Sequence, residues 1–454
     1  MKKILLTSFI LTVMLILLLS CFKGGGINFN SFVSNSGGNG GGSGGSGNLL
    51  QSFPKVFYTT NNQSEYFNSV FPTSDGGILL SGAYYASNDA LFVKISSTGQ
   101  TLWKKLGSIG YQAYSFIQMD DGYYYGSGVA IVNGNPKSFI SKLDQNGNTV
   151  NILYFEPASV TILPLDSGKI IMSVNHTLVK VSLTTNLDSS NSIKWHYQFN
   201  VNNGFFQFGS NVLPFKDNNI NYVFIADFVG STIGRVDATS DTPDTGTFAI
   251  FKDIYNLPSS SYDFECLSPA VSNDSADILG VLQNYNDKTI AIIKMDKNLT
   301  TVGGKLFSSN SLFDIKLIPT PDGKYLLTLS SGHNSLVVLL DSNLTIISKK
   351  IIKMGVRSVI PVSGGFIFAG FLGGYPYDAV VMSLDSLLNP PTCPTIVDTN
   401  DIYNFHFSQN LNNLSFSSNL NYTVNSNIIT NLQNANTSTT DANLVEDTTC
   451  RTSW

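Results

Sequence analysis

Residues Ser69–Gly82 read SVFPTSDGGILLSG: an apolar run, a turn carrying Asp75 and Gly76, and a second apolar run closing on Ser81-Gly82. Two short apolar runs joined by an Asp-Gly turn are the signature of a β-hairpin. The phrase returns as SFIQMDDGYYYGSG (Ser115–Gly128), TILPLDSGKIIMSV (Thr161–Val174) and NVLPFKDNNINYVFIAD (Asn211–Asp227). It returns again, more loosely, as SPAVSNDSADILGVLQN (Ser268–Asn284), IKLIPTPDGKYLLTLS (Ile315–Ser330) and RSVIPVSGGFIFAG (Arg357–Gly370). Aligning the turns puts Gly76, Gly122, Gly168, Asn218, Ser275, Gly323 and Gly364 in one register, with spacings of 46, 46, 50, 57, 48 and 41 residues.

A second phrase follows each hairpin. It reads DALFVKIS (Asp89–Ser96), SFISKLD (Ser138–Asp144), TLVKVS (Thr177–Ser182), TIGRVD (Thr232–Asp237), IAIIKMD (Ile290–Asp296), LVVLLD (Leu336–Asp341) and DAVVMSLD (Asp378–Asp385). Turn formers such as STGQ and DQNGN come next. A fourth strand follows, clearest in TLWKKLGS (Thr101–Ser108) and IISKKIIK (Ile346–Lys353). Four strands every 45–50 or so residues is the period of a β-propeller blade. One such sheet cannot bury both faces, whereas blades packed around an axis can. The sequence therefore predicts an all-β, seven-bladed β-propeller of four-stranded antiparallel blades over residues 52–391.

The ring also has to close. The seventh copy runs into Leu387-Leu388-Asn389-Pro390-Pro391, and prolines do not continue a sheet interior. Pro54–Thr60, ahead of the first copy, aligns with the fourth strand TLWKKLGS, so the N-terminal strand is expected to complete the last blade and cover its edge. The pattern of DGG turn, DALFVK strand and TGQTLWKK strand resembles the repeats of bacterial and archaeal secreted propellers of the PQQ-like group, over most of residues 55–387. The resemblance bears on fold more than on function, because propellers host many activities. The WD dipeptide of WD40 blades and the glycine order of kelch blades are not met.

The chain opens MKKILLTSFILTVMLILLLSC, with Lys2 and Lys3 ahead of an apolar run from Ile4 to Leu19. This is the layout of a secretory signal, and the run is short for a membrane span of roughly 20 residues. Leu18-Leu19-Ser20-Cys21 resembles the bacterial lipobox. That resemblance implies a signal peptide over 1–20, acylation (palmitate) at Cys21 as the mature N-terminus, and a firm membrane anchor, since several acyl chains hold far better than one. Phe22 in place of Asp points, by the family's sorting rule, to the outer membrane of the cell envelope. Residues 21–51 form a Gly/Ser/Asn-rich tether with a reach on the order of 30 Å.

Removing residues 1–20 leaves 24 basic against 31 acidic side chains, a net charge of −7. A mildly acidic exported chain argues against nucleic acid as a partner. Beyond Cys21 there are three cysteines. Cys393 and Cys450 flank an Asn/Ser/Thr-rich C-terminal segment (392–454) and are expected to pair, since export permits disulfides and a long loop gains from bridging. Cys266 reads as a buried free thiol. The C-terminal segment reads as an extended appendage stapled to the propeller, with a disordered tail as the alternative.

Little in the sequence signals chemistry. His176, His196, His333 and His406 show no metal-ligand spacing. No G-x-S-x-G, P-loop or H-E-x-x-H occurs. Asp144–Asn148 imitates the start of a calcium loop, but Thr149 and Phe155 stand where Gly and an acid are needed, so it reads as a hairpin turn. DATSDTPDTG (Asp237–Gly246) reads as a solvated loop. Trp103 and Trp195, near fourth strands, read as packing between blades. Lys94, Lys142, Lys180, Arg235 and Lys294 share one slot of the repeat, with Leu339 and Ser383 in the last two copies. They either ring the channel and bind an anion or quinone, or pair with neighbouring blades.

The expectation is a membrane-anchored envelope lipoprotein whose propeller is a non-enzymatic binding or scaffold module, with no cofactor or metal. Its partners would be the membrane through Cys21 and an envelope protein or glycan. Two alternatives stand. One is a periplasmic assembly factor similar to the propeller lipoprotein of outer-membrane barrel insertion, a family with eight blades where seven copies are found here. The other is a quinoprotein or glycan-active enzyme, which would need convergent acids or a metal near the axis.

Overall fold

The computed structural model describes residues 49–449, apart from 61–62, 86, 88, 108–111, 157–160, 167, 175–176, 184–192, 202–203, 206, 208–210, 219, 242–248, 259–260, 272–273, 374–375, 392–396, 399, 401, 418–419, 421, 427–429, 436–438 and 443. Cys21, Cys393, Cys450 and His176 lie outside the described residues, as does the whole signal and most of the tether. No described helix is long and apolar enough to cross a membrane.

The chain is a seven-bladed β-propeller. Blade 1 holds strands Glu65–Pro72, Ile78–Tyr84, Asp89–Ile95 and Thr101–Gly107, hydrogen-bonded in chain order. Blade 2 (Gln112–Gln118 to Thr149–Glu156), blade 3 (Thr161–Asp166 to Ile193–Val201) and blade 4 (Val212–Asp217 to Ala249–Tyr255) repeat that order. So do blade 5 (Tyr262–Pro269 to Thr301–Ser308) and blade 6 (Asp314–Pro319 to Ile346–Ile352). Each first strand touches the first strands of the blades on both sides, all the way round, so the first strands surround the axis.

Six of the seven aligned turn residues adopt the left-handed backbone that glycine and asparagine tolerate: Gly76, Gly122, Gly168, Asn218, Gly323 and Gly364 have φ between 54° and 85°. The recurring Gly/Asn is thus a backbone requirement. Ser275 differs because its turn is wider, spanning residues 270–277.

Blade 7 contributes Gly355–Val362, Gly365–Leu372 and Asp378–Asp385, and its fourth strand is Lys55–Tyr58, paired antiparallel as Lys55↔Val381 and Phe57↔Ala379. The N-terminal strand closes the ring as expected. Just before it, Leu49–Ser52 forms a short 3-10 turn. Ser383 Oγ donates to the Leu50 carbonyl at 2.6 Å, and Leu50 lies against the Gly364 turn. First-to-second and third-to-fourth turns lie at one end of the ring, here called the lower end. The tether therefore enters at the lower end.

Each blade has the four consecutive antiparallel strands that the sequence predicts, and its sheet carries one strand more. The C-terminal segment runs backwards around the whole ring and adds a fifth strand to every blade. Val397–Asp398 pairs with blade 6 and His406–Asn410 with blade 5. Ser415–Phe416 pairs with blade 4, and Tyr422–Ser426 with blade 3, whose fourth strand also carries the short strand Gly204–Phe205. Thr430–Ala435, Thr439–Asp441 and Val445–Asp447 follow on blades 2, 1 and 7. Each fourth strand would otherwise present unpaired backbone to solvent, and the belt supplies the missing partner. It is pegged by buried Tyr403, Phe405, Leu411, Leu414 and Leu444. Phe405 stacks on Phe307 with ring centres 5.1 Å apart. Every belt strand pairs with the C-terminal, upper half of a fourth strand, leaving Leu102, Val150, Val302 and Ile347 exposed in the lower halves.

Candidate functional site

The upper end, opposite the tether, is built by the starts of the first strands and the loops joining second to third strands. Four blades share a device there. The first strand carries a β-bulge after Phe67, Ala113, Phe264 and Val356, so Asn68, Tyr114, Glu265 and Arg357 fall outside the ladder. A bulge takes one side chain out of the strict alternation of a strand and re-aims it. In three of these blades the facing second-strand residue is glycine, and the approach explains why. A Cβ on Gly82, Gly128 or Gly370 would lie 1.8, 2.0 or 1.9 Å from the carbonyl oxygen of Tyr66, Gln112 or Gly355. The Ser-Gly or Ala-Gly ending the repeated phrase is therefore the sequence trace of the bulge. Gly82→Ala is expected to destabilise the protein by about 1–3 kcal/mol through backbone overlap, measured by denaturant unfolding. Unchanged stability would show that the first strand can move aside.

The bulged residues join a polar and aromatic wall. In blades 1 and 2, Tyr66 Oη donates to Gln112 Oε1, Gln112 Nε2 donates to Tyr114 Oη, and the Tyr66 and Tyr85 rings sit 5.6 Å apart. Asn68 Nδ2 donates to the Ala113 carbonyl at 2.9 Å, bridging the two blades. In blade 5, Glu265 accepts from Tyr285 Oη at 2.6 Å. Across blades 6 and 7, Lys316 and Arg357 share one carboxylate, that of Asp314, at 3.0 and 3.2 Å. The Arg357 guanidinium lies over Phe371, which packs against Tyr377 and exposed His333. The sum is a rim of exposed or half-exposed Tyr66, Tyr85, Tyr285, His333 and Tyr377 among charged and amide groups, suited to contact with a polar macromolecule.

Three carboxyls at this end are held above the ordinary carboxylate range, and burial is the main cause for each, Asp89 among them. Burial raises Glu65 to about 7, with Asp378 adding repulsion. Burial raises Asp227 to about 6, with Asp263 and Asp253 adding to it against the hydrogen bonds from Val229 and Gln207. Because the folded state holds the Asp227 proton more tightly than the unfolded chain, stability falls as pH rises from about 4 to about 6. Asp227→Asn is expected to leave stability unchanged near the lower pH and to gain about 1–2 kcal/mol above the upper one. Parallel wild-type and variant curves in unfolding measurements across that range would refute this.

The recurrent cations sit elsewhere. Lys94, Lys142, Lys180, Arg235 and Lys294 lie on third strands, two strands out from the axis, toward the lower end. Lys94 is buried against Thr73 Oγ1 at 2.7 Å and Asp75 at 2.8 Å. Lys142 pairs with Asp121 at 3.1 Å and lies over Tyr123. Lys180 donates to the Ala238, Thr239 and Ser240 carbonyls and pairs with Asp241 in blade 4. Arg235 donates to the Lys297 carbonyl in blade 5, and Lys294 pairs with Asp274 at 2.7 Å and donates to the Ser342 carbonyl in blade 6. The slot ties turns within and between blades.

Of the other singled-out residues, Trp103 packs against Phe116 and Tyr124 of the next blade and donates to the Gln145 carbonyl. The backbone of Trp195 pairs with that of Lys180 in blade 3, and its side chain lies outside what the structure describes. Asp144 accepts from the Asn146 and Asn148 amides in a hairpin turn. Cys266 is buried and forms no disulfide. Among the described residues no group of three or more His, Cys, Asp or Glu side chains is placed to hold a metal. A crevice of about 590 Å³ opens on the outer wall between blade 5 and the belt, lined by Thr301–Gly303 and Leu411–Leu414, away from the rim.

No family model matches the chain, and no curated protein matches it. Among solved structures it is similar to BamB from Moraxella catarrhalis, at 12% identity and a TM-score of 0.42 over 70% of this chain and 85% of that one. It is similar to a catalytically inactive virginiamycin B lyase from Staphylococcus aureus with quinupristin, at 12% identity and a TM-score of 0.45 over 72% of this chain and 98% of that one. The β-propeller domain of Cps50 (Swd1) from Myceliophteria thermophila gives 10% identity and a TM-score of 0.45 over 72% and 99%. These are likenesses of chain path between propellers and carry no chemistry across.

Proposed function

We propose that this protein is a lipid-anchored envelope protein whose propeller is a non-enzymatic binding and scaffold module, engaging a protein or glycan partner through its upper end. The observation that carries this reading is the opposition of the two ends. The chain arrives from the lipobox-like Leu18–Cys21 stretch at the lower end, beside Gly364. The aromatic and polar rim lies at the other end, so a membrane-tethered ring would present it outward. A fifth strand on every blade makes the outer wall a poor template for adding further strands along its upper half.

The anchor and the rim are tested separately. Cys21→Ser is expected to abolish incorporation of an alkyne-palmitate probe and to release the protein from membranes; label retained on the variant would refute acylation at Cys21. A photo-crosslinking residue placed at Tyr85 or His333 is expected to trap an envelope component in intact cells, while one at Leu102 on the outer wall traps little. Equal trapping at both places would refute the rim as the contact surface. Trapping of a barrel-assembly protein would narrow the module to an assembly factor.

A further inference from the structure

We propose that the seam where the ring closes, between blades 7 and 1, binds a hard divalent cation through Glu65, Asp378 and Thr59. Glu65 begins the first strand of blade 1 and is 0% exposed. Its carboxylate meets only the hydroxyl and amide of Thr59, and neither contact has the geometry of a full hydrogen bond, so both oxygens stay among the few buried side-chain atoms left unsatisfied among the described residues. A buried polar atom without a partner calls for an explanation, and a buried carboxylate above all. The charged group acting most on Glu65 is Asp378, of like sign, and no Lys, Arg or His is among its perturbing neighbours. Asp378 begins the third strand of blade 7, and Thr59 directly follows Lys55–Tyr58, the strand that closes it. Asp89, the matching first residue of the third strand of blade 1, stands in the same row, since Glu65 faces Tyr84 and Tyr84 faces Asp89 in register.

The surrounding backbone is already pinned. The Glu65 amide donates to the Tyr377 carbonyl at 2.8 Å, the Tyr377 amide to Ser64 Oγ at 3.0 Å, and the Tyr85 amide to the Ser64 carbonyl at 3.0 Å. The loops of blades 1 and 7 are thus locked together around carboxylates that repel one another. Every donor offered is oxygen, two carboxylates and a hydroxyl with no sulfur or imidazole, which is the chemistry of Ca²⁺ and its like and not of zinc or copper. A cation there would cancel the repulsion and bolt the first blade to the last, at the one seam of the ring joined by distant parts of the chain.

The test uses the mature chain stripped with EDTA. Millimolar Ca²⁺ is expected to raise the thermal midpoint of the wild type by several degrees. Tb³⁺ is expected to give tyrosine-sensitised luminescence, through nearby Tyr84, that Ca²⁺ displaces. Glu65→Gln is expected to lose more than about tenfold in Tb³⁺ affinity and to lose the Ca²⁺ shift, and Thr59→Val serves as the second variant should Glu65→Gln fail to fold. Asp441→Asn, on an exposed belt carboxylate, keeps both. A wild-type midpoint indifferent to Ca²⁺, or a Ca²⁺ shift and Tb³⁺ signal retained in both seam variants, overturns the proposal; in the first case a proton neutralises Glu65.

Discussion

A chain ending at Pro391 should fail to hold the native ring. Truncation there removes the fifth strand from all seven blades and strips the buried belt side chains from the outer wall. Burying one large apolar side chain contributes about 1.5–3 kcal/mol, and the belt buries Tyr403, Phe405, Leu411, Leu414 and Leu444. Part of that gain is offset by ordering the segment itself, but whole-protein stability is only about 5–15 kcal/mol. Seven freshly exposed strand edges would add a route to edge-to-edge association. The expected result is a truncated protein that unfolds well below the full chain and gains light scattering on warming. The single-residue counterpart is Phe405→Ala, which leaves a cavity beside Phe307 and is expected to cost about 3–5 kcal/mol. A truncated chain that stays monomeric with an unchanged midpoint would make the belt dispensable.

The second large effect concerns the belt's two ends. The segment leaves blade 7 after Asp385, next pairs with blade 6 at Val397, and returns to blade 7 at Val445–Asp447. Cys393 and Cys450 stand just outside those flanks in sequence, and both lie outside the described residues. A bridge between them would turn a strip wound once round the propeller into a closed hoop. Closing a loop of that length restricts the unfolded chain by about 4 kcal/mol on the chain-entropy account. Reduction, or a Cys393→Ser, Cys450→Ser double variant, is expected to lower stability by about that amount under non-reducing conditions. Intact-mass thiol counting on the mature, unreduced protein should find Cys266 alone free. Three alkylated thiols would refute the bridge.

Much of this architecture was legible in advance because it rests on local backbone rules that recur. The Asp-Gly and Ser-Gly turns demanded left-handed residues at a fixed interval, and Gly76, Gly122, Gly168, Gly323 and Gly364 all meet that demand. Counting the interval gave seven blades. The prolines at 390 and 391 showed that the last blade lacked a strand, which Lys55–Tyr58 provides. The rim was harder to see. Its bulges left a trace in Gly82, Gly128 and Gly370, but a glycine after a strand also reads as a simple turn. Blade 5 bulges at Glu265 with Leu282, not glycine, at the facing position.

The sequence by itself determined the number of blades, their hairpin register and the strand that closes the ring, because each follows from short-range steric and periodic constraints repeated along the chain. Tertiary structure alone decided the course of the C-terminal segment. Its strands are two to six residues long, polar, and without a steady alternation, so nothing local marks them as sheet. They become strands only where a fourth strand already offers open backbone. It also decided where the recurrent cations and the carboxyl of Glu65 fall. The groups around them sit on other strands and, for Lys180, Arg235, Lys294 and Glu65, on other blades, and such distances close only once the ring has formed.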